Sequence, residues 1–205
     1  MTNKQQLGGA LLFIAAFIGL LFNPIMEALN SPGYNISIDT ISSLGALQPT
    51  ILLFGVTLVV SGVLGLTGTL LAYNALGKWF TALLVISCMG EIGVGLFPSL
   101  IPWTYAYACH VTSAMTIVVL GVIVMLRFYK RFNEPFSSLS FGLGILALIG
   151  GLLIPIVVVF PSLIFGLGMG IMERIMYYPL MVWQVGLGGA LMELHPKLSL
   201  RRAEK

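Results

Sequence analysis

Charged residues are scarce in this chain. Asp, Glu, Lys and Arg make up 8% of its 205 residues, whereas a soluble domain uses about 25% to solvate its surface. This scarcity excludes an ordinary water-soluble domain. Hydrophobic residues account for 58% of the chain, and its mean hydropathy is +1.02. Such a composition indicates a protein whose exterior contacts lipid.

The chain also lacks the motifs of common catalytic and cofactor sites. It contains no phosphate-binding loop and no HExxH, GxSxG or CxxC sequence, so no cofactor is predicted. The two cysteines, Cys88 and Cys109, lie in apolar stretches and are interpreted as reduced thiols. The net charge of +3 does not indicate nucleic-acid binding, because the basic residues lie at the ends of apolar stretches or in one tail.

The chain does contain six apolar stretches, each near or above the ~20 residues that a helix needs to cross a bilayer. Breaks rich in Asn, Gly, Pro and Ser separate them. The sequence therefore predicts an all-α, polytopic transmembrane bundle of six helices. We expect one domain over residues 1–205, in the cell membrane as a multi-pass protein. The predicted spans are 7–29, 49–73, 79–97, 102–126, 139–160 and 163–194.

The distribution of basic residues predicts the orientation. Nine of the ten Lys and Arg residues fall at the N-terminus, in the second and fourth connections, or in a basic tail at 195–205. The positive-inside rule makes this side cytoplasmic. Both termini are therefore predicted to be inside, and the long connection at residues 30–48 outside.

This topology is testable by labelling. In a chain without Cys88 and Cys109, a membrane-impermeant thiol reagent added outside should label Ser31→Cys and leave Asn133→Cys unlabelled, because the bilayer shields the inner connection. Labelling of Asn133→Cys in sealed cells would invert the topology, and permeabilised cells, in which both sites should react, provide the control.

The external connection contains a predicted short interfacial helix at residues 39–45. Asp39 has a side chain suited to cap its start, and Gly45 is suited to end it. Ile41 and Leu44 share one face, as in an amphipathic helix. We therefore expect this segment to lie on the outer mouth of the bundle as a lid, with that face buried.

Few ionisable residues lie within the predicted spans, where each charge costs several kcal/mol unless it faces the bundle interior. At ~1.5 Å per residue, Glu91 lies roughly 9 Å, His110 roughly 12 Å and Glu173 roughly 15 Å below the outer turns. Arg174 follows directly. All four fall in the outer half, so we expect them to converge on one outward-opening pocket.

Each polar candidate has a predicted role in that pocket. His110, with Glu91 or Glu173, is suited to move protons. Arg174 is suited to bind an anionic headgroup, or to pair structurally with Glu91 or Asp39. The remaining binding candidates are Asp39, Ser42 and Ser43 above the pocket and Trp183 at its floor.

One five-residue sequence occurs twice. Phe-Pro-Ser-Leu-Ile begins at Phe97 and again at Phe160, at the predicted external turns of two helical hairpins. Coincidence in an apolar composition and a true internal repeat both remain open.

Three short motifs resemble a known family. They are Asp39-Thr-Ile-Ser-Ser-Leu-Gly45, Phe97-Pro98 followed by His110, and Gly170-Ile-Met-Glu-Arg-Ile175 with Trp183. They resemble the prokaryotic membrane proteins of domain-of-unknown-function family 998, over nearly the whole chain. The resemblance implies a six-span fold and no established activity. The positions that match the family pattern are Asp39, Ser42, Gly45, His110, Glu173 and Arg174.

The leading functional hypothesis is a polar pocket that binds, or acts on, a lipid or other amphiphile. The predicted partners are therefore membrane lipid and an amphiphilic small molecule; the oligomeric state is left open. The alternatives are a proton-coupled small transporter and a structural or assembly protein. A hydrolase with Glu91, His110 and Glu173 as zinc ligands is a further alternative, since three such ligands suffice for catalytic zinc.

Overall fold

The computed structural model describes residues 2–97, 104–160 and 167–193. Within these ranges the chain forms helices and no strands. The α-helices are α1 (Thr2–Leu29), α2 (Ile51–Leu71), α3 (Tyr73–Leu76), α4 (Lys78–Leu96), α5 (Tyr105–Phe128), α6 (Phe136–Val159) and α7 (Met169–Met192). All except the short α3 are long and apolar enough to cross a membrane, which confirms the predicted fold class. Most of the repeated five-residue sequence and the basic tail lie outside the described residues.

The six long helices form a closed ring. Each packs against the next long helix along the chain, and α7 closes the ring against α1. The interior is filled by large side chains from several helices, including Leu12, Phe80, Met125, Trp183 and Leu187. Lipid-facing positions carry exposed apolar side chains instead. Each long helix is therefore apolar both toward the interior of the ring and toward lipid, which agrees with spans that are hydrophobic around their whole circumference.

Pairs of glycines let three of the helix interfaces approach closely. In each pair, a Cβ atom added to one glycine would clash with the backbone oxygen of the other. Small residues serve the same purpose in many membrane proteins, where close backbone packing replaces the hydrophobic effect. The pairs are Gly8 with Gly68 (α1 and α2), Gly9 with Gly188 (α1 and α7), and Gly55 with Gly95 (α2 and α4).

The connection between α1 and α2 folds back onto the bundle as a 3₁₀ helix at Ile41–Gly45. Ile41 is 4% exposed and Leu44 0%, so the predicted burial of this face is confirmed. The predicted cap was wrong. Thr40 is the N-cap and accepts from the Ser43 N–H, while the Asp39 carboxylate accepts from the Asn35 N–H at 2.7 Å and stabilises the preceding turn.

The start of α7 also differs from the prediction. The predicted span begins at residue 163, but Leu167 and Gly168 are not helical and α7 begins at Met169. Glu173 therefore lies only about 6 Å along the helix from its start, at 1.5 Å per residue. This places Glu173 and Arg174 close to the end of the bundle on which the 3₁₀ helix packs.

Candidate functional site

Arg174 anchors the end of the bundle on which the 3₁₀ helix packs, which we call the outer end, through an ion pair with Glu27. Its Nη2 and Nε atoms lie 2.6 and 3.1 Å from Glu27 Oε1, and each side chain is 10% exposed. The prediction that Arg174 pairs with Glu91 or Asp39 was wrong. Glu27 lies in the last turn of α1, which packs directly against α7, and so it is the carboxylate that the guanidinium reaches.

The remaining donors of Arg174 bind the connection between α1 and α2. Nη2 donates to the Tyr34 hydroxyl at 2.6 Å, and Nη1 donates to the backbone oxygens of Ile36, Asp39 and Gly170 at 2.7–3.0 Å. All three guanidinium nitrogens are thus engaged within the protein. The predicted binding of an anionic headgroup by Arg174 stays a prediction, and a headgroup there would have to displace these contacts.

Tyr34 links Arg174 to the start of the 3₁₀ helix. Its hydroxyl lies 2.9 Å from Thr40 O and 3.1 Å from Asp39 O, to which it donates. Burial raises the pKa of Tyr34 to about 12, although the hydrogen bond from Arg174 acts in the opposite direction. The hydroxyl therefore keeps its proton at neutral pH and remains a donor to these carbonyls.

Glu173 binds the N–H groups of the same segment. Its carboxylate accepts from Ile41 N, from Ser42 N at 3.4 Å and from Ser42 Oγ at 2.6 Å. Ile41 and Ser42 are the first residues of the 3₁₀ helix, whose N–H groups have no partner within the helix. Glu173 therefore supplies a cap from another helix. Ser43 takes no part, because its hydroxyl donates to Thr40 O at 2.6 Å.

Two adjacent residues of α7 thus bind the two kinds of backbone group in the connection between α1 and α2. Glu173 accepts from its N–H groups and Arg174 donates to its carbonyls. Gly170 makes this close approach possible, because a Cβ there would collide with the backbone oxygens of Ile36 and Asp39. We call Glu27, Tyr34, Glu173 and Arg174 the outer clamp.

Glu91 lies apart from the outer clamp, in the wall of a cavity inside the ring. The cavity measures about 40 Å³ and is lined by α1, α4, α5 and α7, with Trp183, Tyr177 and Gln184 beside Glu91. A cavity needs about 10–15 Å³ for each water molecule, so this one has room for roughly three. Trp183 lines this inner cavity, and its Nε1 donates to Ser140 Oγ at 2.9 Å.

A second cavity, of about 50 Å³, lies nearer the 3₁₀ helix. Glu173, Ser42 and Asn23 line it, with Ile41 and Tyr177. Asn23 is 2% exposed, and its amide nitrogen has no hydrogen-bond partner within residues 2–97, 104–160 and 167–193. A buried donor without a partner is a place where an ordered water or a bound group is expected.

The two cavities are stacked along the bundle, and Tyr177 and Ile117 line both. On α1, α4 and α7 the residues of the inner cavity lie farther from the 3₁₀ helix than those of the outer cavity. Glu91 and Glu173 are therefore separated by the layer that contains Tyr177. The prediction that they share one pocket was therefore wrong.

His110 lines neither cavity. It is 3% exposed, and its Nδ1 lies 2.7 Å from Phe97 O at the end of α4. Because a carbonyl only accepts, Nδ1 carries the proton, and the buried Nε2 has no partner among the residues that the structure describes. In the described part of the chain, no hydrogen bond or ion pair joins His110, Glu91 and Glu173 to one another.

The zinc alternative finds no geometric support. Among residues 2–97, 104–160 and 167–193, no three His, Cys, Asp or Glu side chains lie close enough together to hold a metal ion. The candidate ligands are held in three different places: Glu91 lines the inner cavity, Glu173 binds the 3₁₀ helix, and His110 binds the backbone oxygen of Phe97.

Sequence reasoning missed four residues of these sites. Glu27 carries a charge near the end of the first predicted span, and this position in the last turn of α1 was a usable signal. Tyr34, Asn23 and Tyr177 are common residue types for a membrane protein, and nothing in their spacing distinguishes them.

A family model described as Protein of unknown function (DUF998) matches residues 8–190. The match covers most of α1 and nearly all of α7, and so includes the outer clamp and both cavities. No curated protein and no solved structure matches the chain.

Proposed function

The chain belongs to the DUF998 family of proteins of unknown function, and we propose that it is a proton-coupled transporter of a small solute. In this proposal Glu91 and Glu173 carry the protons. The observation that supports it is the stacking of two interior cavities, each with one carboxylate in its wall.

The charge balance of the interior favours proton chemistry. Among the described residues, the one ion pair joins Arg174 to Glu27, which leaves both cavity carboxylates without a salt-bridge partner. Isolated charges within a membrane cost several kcal/mol and generally belong to substrate, ion or proton pathways. Exchange of a proton is the simplest way for such a carboxylate to remove that cost.

Tyr177 is placed to connect the two carboxylates. It lines both cavities, and a phenol both donates and accepts a hydrogen bond. Each cavity has room for a few waters, and bridging waters extend hydrogen bonding beyond direct contact. Toward the far end of the bundle, Gln184 also lines the inner cavity. It supplies one further polar group on the side of this cavity that lies away from the 3₁₀ helix.

The two other hypotheses explain less of this geometry. A structural role accounts for the outer clamp, but not for Glu91, which takes no part in that clamp. An amphiphile held inside the bundle needs more space, since ligand pockets measure about 300–1,000 Å³ and the cavities measure about 40 and 50 Å³. A lipid or other amphiphile would enter them only after the 3₁₀ helix moved.

The proposal is tested by following protonation directly. The purified protein in lipid vesicles is titrated between about pH 4 and about pH 9, a range that covers ordinary and strongly shifted carboxyl groups. Infrared difference spectra should contain a carboxylic-acid carbonyl band that Glu91→Gln removes and Glu173→Gln reduces. The band should shift in heavy water, because the exchanging proton becomes a deuteron.

Glu193→Gln is the matched control, because Glu193 is exposed at the end of α7 and lines neither cavity. Its difference spectrum should lack only the signal of an exposed carboxyl group. If Glu91→Gln leaves the titration unchanged, Glu91 does not exchange protons and the proposed mechanism is wrong.

A further inference from the structure

We propose that the end of the bundle opposite the outer end binds the headgroup of an anionic phospholipid. The positive charge for this binding comes from Lys78, Arg127, Lys130 and Arg131, which we call the basic collar. The site lies at a different end of the molecule from the outer clamp, so the inference does not depend on the proposed transport. It follows from the position of these four residues, from their unpaired charge and from the apolar surface beside them.

The basic collar lies where the start of α4 meets the end of α5. Lys78 begins α4, Arg127 lies in the last turn of α5, and Lys130 and Arg131 belong to a 3₁₀ turn at Tyr129–Arg131. All except Arg131 are exposed. Because α4 and α5 are consecutive spans that pack against each other, these residues reach the same membrane surface, where lipid headgroups lie.

Two contacts hold the members of the basic collar together. Arg131 Nη1 donates to Leu76 O at 2.8 Å, two residues before Lys78, and so ties the end of α5 to the start of α4. The guanidinium carbons of Arg127 and Arg131 lie 5.9 and 5.6 Å from the centre of the same Phe128 ring. An arginine beside an aromatic ring keeps N–H groups that can bind a phosphate. The two arginines therefore place their charges around one side chain.

The charge of the basic collar is not neutralised by the part of the chain that the structure describes. The one ion pair in that part joins Arg174 to Glu27 at the outer end. Glu134 follows the basic collar closely in sequence, but its carboxylate accepts from Ser138 N at 3.2 Å, at the start of α6. The complementary partner of this surface is therefore an anion.

The surroundings of the basic collar favour a lipid over a soluble anion. Ile123 lies one turn before Arg127 on α5 and is 42% exposed, and Trp79, next to Lys78, is 73% exposed. Tryptophan is enriched at the headgroup level of membranes, and basic clusters at the ends of spanning helices bind anionic headgroups. A phosphate at the basic collar leaves its acyl chains against the exposed apolar side chains of the same helices.

Competition for radiolabelled phosphatidylglycerol, with the protein immobilised in a neutral detergent, tests the inference. Unlabelled phosphatidylglycerol should compete, while phosphatidylcholine with the same chains should compete about fivefold less well, or about 1 kcal/mol, the contribution of one Lys or Arg near an anionic headgroup. Replacing Arg127 and Lys130 together with Gln should bring this ratio close to one. Arg131 is kept in this variant because it binds Leu76 O.

The matched control is the double variant Arg127→Lys and Lys130→Arg, which keeps both charges and should keep the preference for phosphatidylglycerol. Equal competition by the two lipids in the unmodified protein would overturn the inference. A preference that survives the two Gln replacements would assign binding to other basic residues, such as those of the tail at 195–205, and would also overturn it. Stronger competition by inorganic phosphate than by sodium chloride of equal ionic strength would assign the basic collar to a soluble anion instead of a lipid.

Discussion

Replacing Arg174 with Gln is expected to destabilise the protein by about 3–5 kcal/mol, the usual cost of removing one partner of a buried ion pair. The change leaves the Glu27 side chain, which is 10% exposed, with no positive partner. It also removes the donors that bind Tyr34 and the backbone oxygens of Ile36 and Asp39. Thermal and denaturant unfolding in detergent measure the effect.

Two further variants distinguish loss of the ion pair from a nonspecific effect of replacing an arginine. Glu27→Gln combined with Arg174→Gln should be more stable than Arg174→Gln alone, because the uncompensated charge is gone. Arg127→Gln removes an exposed arginine from the opposite end of the bundle and should change stability by no more than about 0.5 kcal/mol. Equal effects of Arg127→Gln and Arg174→Gln would show that the outer clamp contributes nothing specific.

The six spans were predictable because lipid imposes a local rule. A spanning segment must be helical and apolar over its whole length, and each segment displays this in its own residues. The ring order is not local, since the contact of α7 with α1 joins the two ends of the chain. For the same reason, the sequence did not reveal Glu27 as the partner of Arg174, 147 residues away.

The predicted pocket depended on depths measured from assumed helix starts. Counting from residue 163 placed Glu173 too deep, whereas α7 begins at Met169. That shift moves Glu173 toward the end of the bundle, where it reaches the 3₁₀ helix, and leaves Glu91 alone in the inner cavity. The cap at Thr40 was missed for a different reason. Asp and Thr are both good N-caps, and local sequence does not decide which of two neighbours takes the role.

Replacing Glu173 with Gln is expected to loosen the 3₁₀ helix while the bundle stays folded. The carboxylate accepts from two N–H groups and one hydroxyl of Ile41 and Ser42. A glutamine has one acceptor oxygen in place of two and no charge, so the Ser42 hydroxyl loses its carboxylate acceptor and the bonds from the N–H groups lose their charge assistance. Hydrogen bonds to charged groups contribute about 1.5–3 kcal/mol each, so local opening should become about 10- to 100-fold more frequent.

Hydrogen–deuterium exchange of the protein in nanodiscs measures this opening peptide by peptide. Amides of residues 40–45 should exchange about 10- to 100-fold faster in Glu173→Gln, while those in the middle of α1 keep their wild-type rates. Glu193→Gln, the same chemical change at an exposed position, should leave both regions unchanged. Because Ile41 and Ser42 also line the outer cavity, loss of the Glu173 charge loosens the wall of the space that a solute must enter. Wild-type exchange at residues 40–45 in Glu173→Gln would show that the carboxylate does not hold this segment.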